Sequence, residues 1–93
     1  MELKFKNNVS VQTSVPIERK IIGDGGGWIL AFSAVTNMTS SELDNQLNED
    51  NISVLTLING ENERQITGYK KVTGVTIRYL ENLLVEADIQ LSK

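Results

Sequence analysis

Apolar and polar residues alternate along the first quarter of the chain, which is the pattern of strands with one buried face. From Val9 to Val15, Val or Thr occupies every second position and Ser or Gln fills the positions between them. Shorter alternating runs cover Leu3–Lys6 and residues 17–21, with a turn expected at Asn7-Asn8. Pro16 has no N–H to donate to a ladder, so we expect it at a strand end or an edge. The pattern predicts three strands before the first glycine.

The run "WILAFSAV", residues 28–35, is apolar on both faces. Such a strand should be central in a sheet or covered on its second face, and the covering element offered here is a helix. "TSSELDNQLN" predicts that helix over residues 40–47, because Thr39 and Glu42 have the spacing of a capping box. Leu43 and Leu47 then form a narrow apolar stripe.

The second half of the chain predicts two hairpins. The first turns at Asn59-Gly60, a pair that tolerates positive φ, with a wider loop through Glu61-Asn62 as the alternative. Gly68 and Gly74 interrupt strand-like sequence and predict bends or bulges.

The register of the C-terminal hairpin follows from its apolar faces. A connection of residues 81–83 places Tyr79 opposite Val85 and Arg78 opposite Glu86. A two-residue turn would place Arg78 opposite Val85 and turn one arm to the wrong face. We therefore predict the three-residue connection.

These elements predict a single domain over residues 1–93 of the α+β class. We expect it to be mainly β, an antiparallel sandwich or partial barrel with one short helix. The 93 residues suit one domain, and the 40% hydrophobic content, rich in Val, Ile and Leu, suits a β-sheet core.

Composition removes several kinds of chemistry. Cys and His are absent from the sequence, which excludes disulfides, thiol nucleophiles, Ser-His triads and zinc sites that need imidazole or thiolate. The acidic pairs Glu42/Asp44 and Glu49/Asp50 are explained as a helix cap and a solvated loop. We therefore expect no enzyme, no cofactor and no metal.

Charge and hydropathy also limit the partners. A net charge of −3 leaves no basic face for nucleic acid. The sequence contains no apolar run of the roughly 20 residues that a membrane span needs. We expect neither a nucleic-acid nor a membrane partner.

Residues 23–27 (GDGGG) are rich in glycine but lack the Lys-Ser/Thr and the following helix of a phosphate loop. They run into Trp28, which starts strand-like sequence. We predict a flexible or strongly twisted hairpin loop, with close docking of a partner as the alternative.

Docking is the remaining function. Sheet edges pair with other chains unless they are guarded, and we expect the edges to be Leu3–Lys6 and Val85–Leu91. The predicted interface residues lie on the last strand and around the glycine stretch: Val85, Glu86, Asp88, Gln90, Gly25, Gly26 and Trp28.

The stretch from Trp28 to Lys93 resembles small accessory proteins encoded among the structural genes of phages and prophages of low-GC Gram-positive bacteria. The shared elements are the Trp-containing strand, the capped helix leading into "NISVLTL", then "TGYKKVTGV" and a closing strand ending in "IQL". The resemblance implies a virion or tail-assembly role, by docking to other protein subunits and without catalysis.

Under that resemblance, we expect the protein in the host cytoplasm, with incorporation into the virion, and a homo-oligomer such as a ring is one expected form. The alternative function is a small phage-encoded inhibitor that binds and blocks a host defence protein, in the manner of an anti-CRISPR protein.

Overall fold

A single antiparallel sheet dominates the computed structural model, which describes residues 1–21 and 27–93. The described elements, in chain order, are β1 (Glu2–Lys4), β2 (Ser10–Thr13), β3 (Ile17–Lys20), β4 (Trp28–Thr36), α1 (Ser40–Gln46), α2 (Glu49–Ile52), β5 (Val54–Asn59), β6 (Asn62–Thr67), β7 (Lys71–Tyr79) and β8 (Val85–Ser92). The mainly β, antiparallel class is confirmed.

Strand order in the sheet is β6-β5-β1-β2-β4-β8-β7, and β3 also pairs with β4. β2 and β3 lie end to end along one side of β4, since Thr13 pairs with Ala34 and Ile17 pairs with Ala31. Pro16 lies between these two strands, where its missing N–H breaks no ladder bond. This position agrees with the sequence prediction.

The sheet curls on itself. β6 and β7 stand at opposite ends of the seven-strand path, yet only residues 68–70 connect them. In a flat sheet the two strands would be about 29 Å apart, at roughly 4.8 Å per strand. A link of this length spans at most about 14 Å. The two ends of the sheet must therefore approach each other, as in a partial barrel.

The core fills the inside of this curl. It joins residues of one face of β4 and β8 with residues of β1, β2, β5, β6 and both helices: Leu3, Phe5, Val11, Leu30, Phe32, Ala34, Leu43, Ile52, Leu55, Ile66, Tyr69, Ala87, Ile89 and Leu91. β4 is central, as predicted. The helix packs on the same side as Leu30, however, so the prediction that it covers the second face of β4 is wrong. That face carries half-buried residues, among them Ala31 and Ser33.

The predicted helix is confirmed with its cap. The Glu42 N–H donates to Thr39 Oγ1 at 3.1 Å, and the Thr39 N–H donates to the Glu42 carboxylate at 3.3 Å. The second helix, α2, begins at Glu49 and Asp50, so the predictions of a solvated loop there and of a single helix are wrong. It forms because Asn48 caps it, accepting a hydrogen bond of 3.0 Å from the Asn51 N–H.

A pair of side-chain amides fixes the helices to the β1–β2 turn. Asn7 Nδ2 donates to Gln46 Oε1 at 3.1 Å, and Gln46 Nε2 donates to Asn7 Oδ1 at 2.8 Å. Because Gln46 is buried, this reciprocal pairing satisfies polar atoms that would otherwise lose water. Asn8, in the same turn, has a φ of 70°.

Both predicted hairpins are present. Tyr79 pairs with Val85 and Arg78 with Glu86, so the predicted register of the β7–β8 hairpin is confirmed. The β5–β6 turn is the two-residue Gly60-Glu61, one position later than the predicted Asn59-Gly60, because Asn59 pairs with Asn62. Gly60 has a φ of 64°, and the wider loop does not form.

The two predicted glycine irregularities also occur. The β7–β8 register shifts between Val72 and Gly74, which is a β-bulge. Gly68, in the β6–β7 link, has a φ of 93°, which is a left-handed conformation.

The predicted edges are wrong. β8 pairs along its length with β4 on one side and β7 on the other, and β1 lies between β2 and β5. Alternation along a strand reports which face is buried and carries no information on the strand's lateral neighbours. Among the described residues, the ends of the path are β6 and β7.

Candidate docking surface

The free side of β7 presents backbone groups that no described residue pairs. The Leu80 N–H donates to the Leu84 carbonyl at 2.8 Å, so these two form a hydrogen-bonded pair of the hairpin. Hydrogen-bonded and non-hydrogen-bonded pairs alternate along an antiparallel ladder. Val75, Ile77 and Tyr79 therefore point their N–H and C=O groups away from β8. We call these three residues the β7 edge.

The side chains of the β7 edge are apolar and extend past the core. Val75, Ile77 and Tyr79 lie opposite the buried Ile89, Ala87 and Val85 of β8, so they face the core side of the sheet. Because the next strand is missing there, Val75 is 40% exposed and Tyr79 is 75% exposed. Open backbone and exposed apolar surface thus coincide along one strand.

Charge distinguishes β7 from the other end of the sheet. Residues 72–77 of β7 (VTGVTI) carry no charge, whereas β6 has Glu63 and Arg64 in its middle. Charged residues discourage strands of other chains from adding to an edge. β7 has charged residues only near its ends, at Lys71 and Arg78, and the bulge before Gly74 also lies near the start of the strand. The β7 edge is the less protected of the two.

The tip of the β7–β8 hairpin extends this apolar surface. Leu80 is 43% exposed and Leu83 is 90% exposed. Asn82 and Leu83 both have left-handed backbones, with φ of 61° and 62°. This conformation is unusual for leucine and costs roughly 1–2 kcal/mol.

A groove of about 390 Å³ separates the tip from the start of α1. It is lined by residues of the α1 cap and of the hairpin, among them Met38, Thr39, Tyr79, Leu80, Leu83 and Val85. Because Tyr79 lines both the β7 edge and this groove, a chain bound along the β7 edge can extend into the groove.

The structure separates the interface residues predicted from the sequence. Val85 is buried at the base of the tip, where it pairs with Thr36 at the end of β4. Trp28 is the first residue of β4, about 27 Å from Thr36 along the strand. Gly25 and Gly26 lie outside the described residues. Trp28 therefore belongs to a different region from Val85.

Glu86, Asp88 and Gln90 lie on the outer face of the sheet. Asp88 accepts a hydrogen bond of 2.5 Å from the Ser33 hydroxyl and one of 2.8 Å from Arg78 Nη1, and Arg78 also pairs with Glu86. The Arg78 guanidinium, and then the Ser33 hydroxyl, hold the pKa of Asp88 below its ordinary value. A carboxylate with a lowered pKa is a weak base, so this cluster fixes neighbouring strands and is poorly suited to activating Ser33.

Ser33, Asp88 and Gln90 line a second groove of about 440 Å³ on the outer face of the sheet. The small residues Ala31, Ser33 and Gly74 line this groove, together with the exposed Val15 and Ile17. The backbone groups beneath it are already paired between β4, β8 and β7. It therefore offers shape and some apolar area, without the hydrogen-bonding capacity of the β7 edge.

Trp28 belongs to a cluster that also contains Tyr69 and Lys93. Lys93 Nζ lies 5.9 Å from the Trp28 ring centroid and 5.2 Å from that of Tyr69. Tyr69 is fully buried and its hydroxyl donates to Glu18 Oε2 at 2.6 Å. Burial, and then the hydrogen bond and charge of Glu18, raise the pKa of Tyr69. This long-range contact left no local signal in the sequence.

The glycine stretch continues into strand structure. The Ile21 N–H donates to the Gly27 carbonyl at 2.7 Å, and β3 and β4 pair directly. Trp28 begins a strand, so the helix N-terminus of a phosphate loop is missing at this point. The predicted loop conformation concerns residues 23–27, of which 23–26 lie outside the described residues.

Within residues 1–21 and 27–93, no three Asp or Glu side chains come together as a metal site would require. None of the helices described is long and apolar enough to cross a membrane. Comparison with protein-family models, curated proteins and solved structures finds no match to this chain.

Proposed function

We propose that the chain is a non-enzymatic accessory protein of a phage or prophage, with a structural or tail-assembly role, that docks to other protein subunits by strand addition at the β7 edge. The observation that carries this proposal is the coincidence, along one strand whose residues 72–77 carry no charge, of outward-pointing backbone groups with exposed apolar side chains. Strand addition needs both of these features.

An incoming antiparallel strand would bond to the backbone of Val75, Ile77 and Tyr79. Its alternate side chains would cover the exposed parts of Val75 and Tyr79, continuing the core face of the sheet. Leu83 and the groove beside it supply a further apolar anchor at the tip. Backbone bonds then give affinity, and the groove gives selectivity.

The assembly context rests on the resemblance of residues 28–93 to phage accessory proteins. In that context the protein is made in the host cytoplasm and becomes part of the particle. Its partners are proteins, in keeping with the net charge of −3.

Site-specific photo-crosslinking during particle assembly tests the proposal. A benzophenone amino acid placed at Leu83 reports on the tip, and the same group at the exposed Glu61 of the β5–β6 turn is the matched control. We expect Leu83 to crosslink to this chain or to a structural protein of the particle, and Glu61 to give no such product.

Two results would contradict the proposal. Crosslinks from Leu83 that lead only to a host protein would favour the inhibitor function. Equal crosslinking from Leu83 and Glu61, or none from Leu83, would show that the tip is not a docking surface.

A further inference from the structure

We propose that the partner at the β7 edge is a second copy of this chain, paired antiparallel about a two-fold axis with Ile77 opposite the partner's Ile77. This inference rests on the proposed function, because it names the occupant of the same edge.

The first argument is the pairing pattern of the backbone. A two-fold antiparallel pair must match outward-pointing residues with outward-pointing residues. With Ile77 at the axis, Val75 lies opposite the partner's Tyr79 and Tyr79 lies opposite the partner's Val75. All three residues of the β7 edge then bond in both copies.

A neighbouring register uses the edge less well. With the axis at Thr76, Val75 lies opposite the partner's Ile77, but Tyr79 lies opposite the partner's Thr73. Thr73 lies in the bulge between Val72 and Gly74, where regular pairing is interrupted. The bulge therefore favours the Ile77 register over the Thr76 register.

Side chains are self-complementary in this register. Each Tyr79 ring packs across from a β-branched valine, a favourable cross-strand pair, and the two Ile77 side chains meet at the axis. These residues face the core side in each copy, so the two cores are bridged by one apolar strip. The exposed fractions of Val75 and Tyr79, 40% and 75%, are the surface that the partner covers.

Charges are complementary as well. Arg78 lies opposite the partner's Thr76, so the two arginines do not face each other. The antiparallel arrangement brings the strand start at Lys70 and Lys71 toward the partner's Glu81, which follows the strand end. Opposite charges at both ends favour this orientation over a parallel one.

Proline substitution tests the edge. Val75→Pro removes an N–H that makes no bond within the monomer, so it blocks pairing with little loss inside the fold. Gln65→Pro is the matched control on β6. The Asn59–Asn62 pair flanks a two-residue turn and is hydrogen-bonded, so the alternation of pairs makes Thr56–Gln65 a non-hydrogen-bonded pair. The N–H of Gln65 therefore points away from β5, as the N–H of Val75 points away from β8.

The readout is mass by light scattering after size exclusion, across about a hundredfold range of concentration. We expect a dimer for the unmodified protein and for Gln65→Pro, and dissociation at least about tenfold easier for Val75→Pro, which removes two bonds per dimer. Circular dichroism establishes that each variant is folded. If Val75→Pro is unfolded, Tyr79→Lys replaces it, since this side chain is 75% exposed in the monomer and the dimer would bury its new charge against the partner's Val75.

Single cysteines test the register in a chain that has none. Under mild oxidation, Ile77→Cys should form a disulfide-linked dimer, because residues opposite each other at a hydrogen-bonded pair have Cα atoms about 5.5 Å apart. Tyr79→Cys should not, because its counterpart lies about 14 Å away along the strand.

A monomer at every concentration overturns the second copy as partner. Docking by the β7 edge is then tested separately by the crosslinks from Leu83 to a particle protein. It is supported if Val75→Pro abolishes these crosslinks and contradicted if they persist. A dimer that resists both Val75→Pro and Tyr79→Lys, or one that Gln65→Pro also disrupts, overturns the β7 edge as its interface. A dimer linked through Tyr79→Cys and not through Ile77→Cys overturns the register.

Discussion

Tyr69 connects two parts of the fold that are far apart in sequence, the β6–β7 connection and β3. It lies in the link between β6 and β7, and its hydroxyl reaches Glu18 on β3. The ring is fully buried and Glu18 is exposed, so the hydrogen bond holds the β6–β7 connection against β3. The residue therefore helps to keep the two ends of the sheet close.

Tyr69→Phe should lower the free energy of unfolding by about 1 kcal/mol at pH 7, through the lost hydrogen bond. The folded protein raises the pKa of Tyr69 above the 10.0 of a free tyrosine, so its contribution is complete below pH 10 and is lost as the pH rises further. Urea unfolding between pH 7 and 11 measures both effects. A matching alkaline loss in Tyr69→Phe would contradict this account, and Tyr79→Phe, at an exposed position, is the control.

Leu83 is held in an unfavourable backbone conformation without packing in return. Leu83→Asn should raise the free energy of unfolding by about 1 kcal/mol, because asparagine adopts the left-handed region readily and the lost side chain is 90% exposed. Thermal unfolding would show a rise of roughly 4–8 °C for a domain of this size. An unchanged or lower midpoint would mean that Leu83 contributes packing within the isolated chain.

At the scale of elements, the β7–β8 hairpin was largely predictable. Its register followed from matching Tyr79 with Val85 and Arg78 with Glu86, since both arms lie in one continuous local segment. The helix cap at Thr39 was equally local. α2 was not predicted because Glu49 and Asp50 were interpreted as a solvated loop, whereas the side chain of Asn48 caps a helix that begins at Glu49.

Two glycines of this region should respond oppositely to alanine. Gly74 has ordinary backbone angles, and a Cβ there would meet Gln90 at 3.6 Å, an ordinary contact, so Gly74→Ala should stabilise by about 0.5 kcal/mol. Gly68 has a φ of 93°, so Gly68→Ala should destabilise by about 1–2 kcal/mol. Denaturant unfolding of the two variants measures the difference. Equal effects would show that backbone conformation is not what separates these positions.

At the scale of the whole molecule, one core links the helices with six strands. Leu43 of α1 is 1% exposed and belongs to the same cluster as residues of β4 and β8. Leu43→Ala should therefore cost about 2–5 kcal/mol and weaken the entire sheet.

Amide hydrogen exchange distinguishes global from local loss in this variant. Protection of the central β8 amides should fall with that of α1, as expected for a single cooperative unit. If only the α1 amides exchange faster, the helix is a separate, weakly coupled element.

Strand order was beyond the reach of sequence patterns. Val85, Ala87, Ile89 and Leu91 predicted one buried face of β8, and that face is buried. The pairing of β8 with β4, however, depends on contacts between residues far apart in the chain, which local alternation does not encode. The candidate edge therefore moved from β8 to its neighbour β7.

The central place of β8 has a consequence for synthesis on the ribosome. β4 needs β8 as its neighbour, but about 50 residues separate Thr36 from Val85, and translation at roughly 5–20 residues per second takes about 3–10 s over that distance. During this interval the apolar segment "WILAFSAV" has emerged without its final partner. β2 and β3 can pair with one side of β4 before then, but the side of β4 that pairs with β8 should stay open until β8 leaves the exit tunnel, and a holding chaperone should protect it in that interval.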